Sequence, residues 1–173
     1  MLSLTLVRHA KSSWDSGAND DHSRPLNPRG QRDAPIIAKA LIDRGVAPDR
    51  CLVSTATRTR ETADAFIRQG LINENCVQYE QALYLASPDH ILDVLQSDFL
   101  SQKEPPKRLL VIAHNPGLEV LAANLSAFKT GPMPTAAVAH FAIQADDFAV
   151  MNTTTAKLEF FISPKGLRGS TGQ

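Results

Sequence analysis

Arg8 and His9 are the first two neighbouring side chains in the chain whose types and position could do chemistry together. They directly follow a short apolar run, Leu4 to Val7, which has the character of a buried strand. In an open α/β sheet, ligands bind beyond the carboxyl ends of the strands, which is where both side chains would lie. Arginine offers a planar fork of donors to phosphate oxygens, and neutral histidine is a competent nucleophile. The pair therefore indicates an anion site that contains a nucleophile.

A second candidate, Arg58, follows another predicted strand. The run Cys51-Leu52-Val53 is short and apolar, and a turn of small residues, most of them hydroxyl-bearing, separates it from Arg58. Thr57 can cap a helix that continues to about residue 70. The first turn of that helix would present Arg58 and free backbone N–H groups at the same rim as Arg8, which is a favourable setting for phosphate.

The third informative stretch is a run of consecutive apolar residues, Leu109 to Ala113, which predicts a central parallel strand buried on both faces. His114 comes at its carboxyl end, and Asn115-Pro116 is expected to cap the next helix. Each of the three strand ends thus carries a polar side chain. Because the carboxyl ends of parallel strands meet at one edge, we expect these side chains to lie together.

Alternation of strands and helices predicts an α/β fold with a mostly parallel sheet. Asn27-Pro28 predicts a helix that continues to about residue 44, with a kink or a delayed start at Pro35. Ser87-Pro88 predicts another helix, to about residue 100. Two further strands, Val138 to Ile143 and Lys157 to Ile162, are expected as antiparallel edge strands.

Length and composition limit the classes of function. With 173 residues, 43% of them hydrophobic, we expect a single domain over residues 1–165 and a polar C-terminal tail over 166–173. The 18 basic residues balance the 18 acidic ones, so no overall field favours nucleic acid or a membrane surface. The sequence does not indicate an oligomeric state.

The cysteines and the chain start indicate the compartment. Cys51 and Cys76 lack metal-ligand spacing, and the Met1 end lacks a signal-peptide pattern, so we expect a reduced, cytoplasmic protein without a membrane span. Neither a Walker A loop nor a dinucleotide fingerprint occurs, which argues against nucleotide-driven or redox chemistry. We therefore expect no cofactor.

The three strand-end segments together resemble the histidine phosphatase superfamily. They are Arg8-His9, Ser54-Thr-Ala-Thr-Arg58 and His114-Asn-Pro-Gly117, and the resemblance covers nearly the whole chain. The stretch from Arg8 to Trp14 and the segment Arg24-Pro25-Leu26 are most similar to its small branch, the SixA-type phosphohistidine phosphatases. The resemblance implies the phosphoglycerate mutase-like fold, with helices on both faces of the sheet in three layers. It also implies a phosphatase, and an anion site built from arginines and histidines without a cluster of metal ligands predicts that this phosphatase works without metal.

The resemblance implies a role for each site residue as well. His9 would attack phosphorus in line and become a transient phosphohistidine, which water then hydrolyses. Arg8 and Arg58 would clamp the equatorial oxygens, while His114 would donate a further hydrogen bond. Ser12 and Arg24 are further candidates for substrate binding.

The chain departs from the family pattern in ways that bear on the substrate. Ala10 replaces the commoner Gly, and Asp15 stands where many mutase-like members carry Asn. Members that act on alcohol phosphates use a carboxylic acid to protonate the leaving oxygen, often a Glu at the position of Leu85. Glu80, Asp89 and Asp15 are possible replacements, and no spacing singles one out.

The missing acid favours a phosphohistidine substrate carried by a partner protein, for example a phosphotransfer domain. Imidazole leaves near neutral pH with little help, because the pKa of its conjugate acid is about 6.5. Two alternatives remain open. One is a small-molecule phosphomonoesterase of the same superfamily, and the other is a module that binds phosphate or phosphohistidine without turnover. A metallohydrolase would need more ligands than His9 and His114 supply.

Overall fold

A single mixed sheet forms the centre of the protein. The structure is a computed structural model, and it describes residues 2–146, 148 and 151–169. The strands of the sheet are β1 (Leu2–Arg8), β2 (Arg50–Ser54), β3 (Val77–Glu80), β4 (Arg108–Ala113), β5 (Val138–Ile143) and β6 (Ala156–Ile162). Their order is β3-β2-β4-β1-β5-β6. The first four strands in the chain run parallel to one another, and β5 runs antiparallel to both of its neighbours.

The prediction of a mostly parallel α/β sheet is confirmed, but the expectation of two edge strands is wrong for β5. That strand lies between β1 and β6, and all of its residues are buried. A six-residue apolar strand buries more surface inside the sheet than at its margin, where β6 lies instead.

Helices cover both faces of the sheet. They are α1 (Pro28–Ile42), α2 (Thr57–Arg68), α3 (Pro88–Ser101), α4 (Gly117–Leu125) and α5 (Pro164–Gly169), with short 3₁₀ helices at Glu74–Cys76 and Gln81–Leu83. Apolar residues of α1 and α2 pack with Leu110 and Ile112 of β4, whereas α3 and α4 pack with Leu109, Val111 and Ala113. This alternation along one strand confirms the predicted three-layer arrangement.

The predicted start of α1 is confirmed, and the delayed start at Pro35 is wrong. The Asn27 side chain accepts a hydrogen bond of 2.9 Å from the Gly30 N–H, so α1 begins at Pro28 and continues through Pro35. Ser87 caps α3 in the same way, through the His90 N–H. In both cases a capping side chain followed by proline fixes the first turn.

Two predicted caps are wrong. Thr57 is the first residue of α2 rather than its cap, because Ala56 occupies the N-cap position without a side-chain bond. Asn115 does not cap α4, since its amide nitrogen donates to Glu119 Oε2 and to the Met133 carbonyl. The helix begins at Gly117, where a Cβ would lie 1.9 Å from the Ala86 carbonyl oxygen, so only glycine fits this approach.

The polar tail expected from residue 166 is helical as far as Gly169, within α5. Arg168 donates to Asp33 Oδ1 over 2.9 Å, and Asp33 is buried in α1. A buried carboxylate needs such a partner, which explains why this segment packs against the domain. The remaining residues of the expected tail, 170–173, lie outside the described part of the chain. No helix in the described ranges has the length and apolar character needed to cross a bilayer.

Candidate active site

The carboxyl ends of three strands bring Arg8, His9, Arg58 and His114 together. The imidazole rings of His9 and His114 lie 5.2 Å apart between centroids. Arg58 links them, because its Nε lies 3.3 Å from His9 Nε2 and its Nη2 lies 3.2 Å from His114 Nδ1. With Ser12 and Arg24, these residues line a cleft of about 300 Å³. All of the predicted site residues therefore meet in one place.

His9 presents an unprotonated nitrogen to this cleft. Its Nδ1 lies 2.7 Å from the Ala10 carbonyl oxygen, which assigns the ring proton to Nδ1 and leaves the lone pair on Nε2. Burial lowers the His9 pKa to about 3, and the charges of Arg58 and Arg8 act in the same direction, against the Ala10 hydrogen bond. The imidazole is therefore neutral at physiological pH, as a nucleophile requires.

His114 is also held neutral, by burial first and by the neighbouring His9 and Arg58, which together lower its pKa to about 2. Its Nε2 lies 2.7 Å from the Ser54 hydroxyl. Since Arg58 donates to Nδ1, the structure assigns the ring proton to Nε2. Because a hydroxyl can either donate or accept, Ser54 allows the proton to lie on either nitrogen.

Asp21 holds the Arg58 side chain in position. Arg58 is almost completely buried, and it donates to the Asp21 carbonyl over 2.6 Å and to Asp21 Oδ2 over 2.9 Å. The Tyr84 hydroxyl donates to the same carboxylate over 2.7 Å. Burial tends to raise the Asp21 pKa, but the Tyr84 bond and the Arg58 charge outweigh it and lower that pKa below its ordinary value. Asp21 is therefore ionised at neutral pH.

Three residues that line the cleft have buried polar atoms without a hydrogen-bond partner: Arg8 Nε, Arg24 Nε and Asn115 Oδ1. These are the buried side-chain nitrogen and oxygen atoms left unpaired among the residues that the structure describes. An unpaired buried donor costs about 1–3 kcal/mol, so a bound anion that satisfied the two arginine donors would remove this penalty. The cleft is therefore suited to an oxyanion.

Ser12 and Arg24 contact each other at one side of the cleft. Arg24 Nη2 donates to Ser12 Oγ over 2.7 Å, and the guanidinium lies 3.6 Å from the centroid of the Trp14 ring. Trp14 covers this arginine while 74% of its own surface stays exposed. The site thus has a fixed cation, Arg24, below an exposed aromatic side chain at its mouth.

None of the proposed replacement acids lines the cleft. Asp15 and Asp89 are exposed, and Glu80 accepts a hydrogen bond from Gln78. Asp21 is the acidic residue that lines the cleft among the residues that the structure describes. Leu85 lines it as well, with 53% of its surface exposed and a positive φ of 50°.

Sequence reasoning missed Asp21, Tyr84 and Ser54. Ser54 ends a predicted strand, so the rule that identified Arg8 and His114 could have identified it too. Asp21 sits in a polar loop beside Asp20, and no local pattern separates the two. Across the described ranges, no group of three or more His, Cys, Asp or Glu side chains is arranged to hold a metal ion.

This fold and this cleft define an α/β protein with an oxyanion site at the carboxyl ends of its parallel strands. A family model described as histidine phosphatase superfamily (branch 1) matches residues 4–80. An uncharacterized protein of Mycobacterium leprae is 34% identical over 127 residues, which cover 72% of this chain and 73% of that protein. A chloroplastic protein of Arabidopsis thaliana, also uncharacterized, is 36% identical over 128 residues, or 71% of this chain. The chain spans 58% of the length of the Arabidopsis protein.

A crystal structure assigned to phosphohistidine phosphatase SixA of Agrobacterium tumefaciens is also similar. It has a TM-score of 0.74 and 28% sequence identity, and the match covers 94% of this chain and 98% of that chain. The chain belongs to the histidine phosphatase superfamily and is of the SixA type.

Proposed function

We propose that the protein is a phosphohistidine phosphatase that acts on a partner protein through a covalent intermediate on His9. The observation that carries the proposal is the setting of Asp21, the carboxyl group that lines the cleft within the described residues: it accepts hydrogen bonds from Arg58 and from the Tyr84 hydroxyl, and these contacts keep its pKa low. An ionised carboxylate cannot protonate an alkoxide leaving group. A ring-protonated phosphohistidine needs no such acid, because it releases neutral imidazole, which is a good leaving group.

In the first step, the lone pair on His9 Nε2 attacks phosphorus of the ring-protonated phosphohistidine, the P–N bond breaks with its electron pair going to the substrate nitrogen, and neutral imidazole leaves. Arg58 Nε, which donates to His9 Nε2 in the structure, would then donate to an equatorial oxygen of the phosphoryl group bound there. Arg8 and Arg24 supply further donors from their unpaired Nε atoms. These donors are fixed by protein contacts before the reaction, so they stabilise the transition state with little reorganisation.

In the second step, water attacks the phosphohistidine and neutral His9 leaves. The Ala10 carbonyl keeps the ring proton on Nδ1, so Nε2 is regenerated as the nucleophile. His114 supports both steps if its proton moves to Nδ1, which the Ser54 hydroxyl allows by donating to Nε2. Arg58 Nη2, which donates to Nδ1 in the structure, would then donate to a phosphoryl oxygen together with Nδ1.

The arginines supply the positive charge that a metal ion would otherwise supply at a phosphoryl group, so we also propose that the activity is metal-independent. Arg8, Arg24 and Arg58 surround the cleft, and Asp21 compensates one of these charges. Hydrolysis should therefore continue at an unchanged rate in the presence of a chelator.

The mouth of the cleft supports a protein-borne substrate. Trp14 and Leu85 both line it and leave large apolar areas exposed. They come from segments that follow β1 and β3, strands three places apart in the sheet, so they form separate parts of the rim. Exposed aromatic and apolar side chains beside a site are typical of contact surfaces for macromolecules.

A small-molecule phosphomonoesterase is the second candidate. The cleft volume of about 300 Å³ favours it, because that is the lower end of the range for small-ligand pockets. Such an enzyme would need a protonated acid for an alkyl leaving group, and Asp21 would have to supply it.

The test compares initial rates on a phosphohistidine protein, p-nitrophenyl phosphate and phosphoserine, each with and without chelator. We expect the phosphohistidine protein to be fastest and phosphoserine slowest, and the chelator to have no effect. Asp21→Asn should slow all three substrates by a similar factor, because Asp21 acts through Arg58. Asp15→Asn is the exposed control and should change none of them. If phosphoserine is the best substrate and Asp21→Asn slows it selectively, the enzyme is a phosphomonoesterase with Asp21 as its acid.

A further inference from the structure

Two thiols lie next to each other at the end of the sheet remote from the cleft. Cys51 is in β2 and Cys76 directly precedes β3, and their sulfur atoms are 3.8 Å apart. Cys51 is opposite Val77 in the parallel pairing of the two strands, so Cys76 is its diagonal neighbour. Neighbouring strands are about 4.8 Å apart, and a disulfide spans Cα separations of roughly 4.4–6.8 Å. The spacing of β2 and β3 therefore falls within the range of Cα separations that a disulfide spans.

The two thiols differ in their access to solvent. Cys51 is completely buried, while Cys76 is partly exposed and lines a second cavity of about 440 Å³. Two basic residues, Arg50 and Lys107, and two acidic residues, Asp49 and Glu104, line the same cavity. Cys51 belongs to the apolar cluster between the sheet and α1 and α2, and Cys76 packs against that cluster. A small oxidant can therefore reach Cys76 and not Cys51.

We propose that Cys76 and Cys51 are a peroxide-sensitive pair that forms an intramolecular disulfide. The Cys76 thiolate attacks one oxygen of a hydroperoxide, the O–O bond breaks, and Cys76 becomes a sulfenic acid as hydroxide or alkoxide leaves. The Cys51 sulfur then attacks the Cys76 sulfur, the S–O bond breaks, and the Cys51 proton leaves with the hydroxyl group as water. The two thiols are oxidised together, and one molecule of hydroperoxide is reduced.

The acid–base properties of the pair agree with this order of events. Contact with the Cys51 thiol is the main influence that lowers the Cys76 pKa, and Arg50 acts in the same direction. The same contact, together with burial, raises the Cys51 pKa. Cys76 is therefore the thiol that is more readily ionised and oxidised first, and Cys51 is the resolving thiol.

Closure of the bond requires a modest local movement. The sulfur atoms must approach from 3.8 Å to about 2.0 Å, which rotation of the two side chains and a small shift of β3 can supply. That strand is the sheet edge and has only β2 beside it among the described strands. The disulfide would therefore tie the edge strand to its neighbour.

The experiment treats reduced protein with one to two equivalents of hydrogen peroxide, blocks the remaining thiols with an alkylating reagent and maps the peptides by mass spectrometry. We expect both thiols to disappear together, a Cys51–Cys76 linked peptide to form in monomeric protein, and dithiothreitol to restore both thiols. In Cys51→Ser, a dimedone adduct of sulfenic acid should appear on Cys76. In Cys76→Ser, the buried Cys51 should stay unmodified under the same conditions.

The proposal is overturned if wild-type Cys76 proceeds to sulfinic acid while Cys51 stays free. It is also overturned if both thiols survive a peroxide excess that oxidises a free cysteine peptide, or if the cross-link forms only between chains. The wild-type protein alone decides these outcomes, so they do not depend on either variant folding. None of them depends on the identity of the phosphatase substrate.

Discussion

Replacement of Arg58 by lysine separates the shape of its side chain from its charge. Arg58 uses Nε toward His9 and Nη2 toward His114, while Nη1 is held by the Asp21 carbonyl. Lysine keeps the positive charge but has a single nitrogen, so it cannot present two fixed donors to the cleft. Loss of one such donor costs about 2.7–4 kcal/mol in the transition state, or about 10²–10³ in kcat. We expect that loss for Arg58→Lys, and ~10²–10⁴ for Arg58→Ala.

The assay is steady-state hydrolysis of p-nitrophenyl phosphate, with thermal unfolding to verify that each variant is folded. Arg60→Lys is the matched control, because Arg60 is exposed on the same helix and donates to the Thr55 carbonyl outside the cleft. Its kcat should stay within about twofold of wild type, as surface substitutions away from a site usually have small effects. A folded Arg58→Lys protein with more than half of the wild-type kcat would refute the role of the planar fork.

Further expectations concern the pH profile, the cleft mouth and one close backbone approach. Because the His9 pKa is lowered to about 3, neutral His9 persists as pH falls, and kcat/KM, corrected for substrate ionisation, should show no His9 limb above pH ~5. The same shift affects stability, because His9 in the unfolded chain binds a proton below its reference pKa of about 6.5 whereas folded His9 does not. The free energy of unfolding from urea titrations should therefore decrease as the pH is lowered from about 6.5 towards the folded value. Leu85→Glu should raise the phosphoserine rate about tenfold or more relative to Leu85→Gln by adding an acid. Trp14→Ala should lower kcat/KM for the phosphohistidine protein about tenfold while p-nitrophenyl phosphate changes less than twofold. In Gly30→Ala, a Cβ would lie 2.2 Å from the Lys11 carbonyl oxygen, so denaturant unfolding should show a loss of about 1–3 kcal/mol.

The parts of the site that follow from the sequence are those that lie at strand ends. Arg8 and His114 could be located because each directly follows an apolar run, and His9 because it follows Arg8. The local order of the chain determines such positions, since strands of one parallel sheet end at one rim. Arg58 could be located in the same way, as part of the first turn after a strand.

The remaining parts depend on contacts between distant segments. Asp21 and Tyr84 are 63 residues apart, and their hydrogen bond exists only because the loop after β1 packs against the segment after β3. The position of β5 inside the sheet likewise depends on competition between strands for burial, which no single segment determines. Helix α5 depends on the buried Asp33, whose need for a partner appears only after α1 is packed.

The sequence predicts helix boundaries to within a few residues, and the two wrong caps result from contacts within the packed site. Capping side chains gave the correct starts at Asn27 and Ser87, because each is followed by proline. Thr57 and Asn115 are equally good caps by residue type, but their positions in the packed site gave them other roles. Residue type alone cannot distinguish these cases.

The covalent intermediate on His9 is the central claim, and rapid-quench labelling tests it most directly. Protein is mixed with a radiolabelled phosphohistidine partner, quenched in alkali within milliseconds to seconds, and digested for peptide mapping. We expect label to appear transiently on the His9 peptide, to vanish as phosphate is released, and to be absent from His9→Ala, which should have no turnover. His22 lies outside the cleft lining and shares a hydrogen bond with Thr55. The His22→Ala protein should therefore label like wild type. Turnover without any labelled His9 peptide, or near-wild-type turnover in a folded His9→Ala protein, would contradict the covalent route.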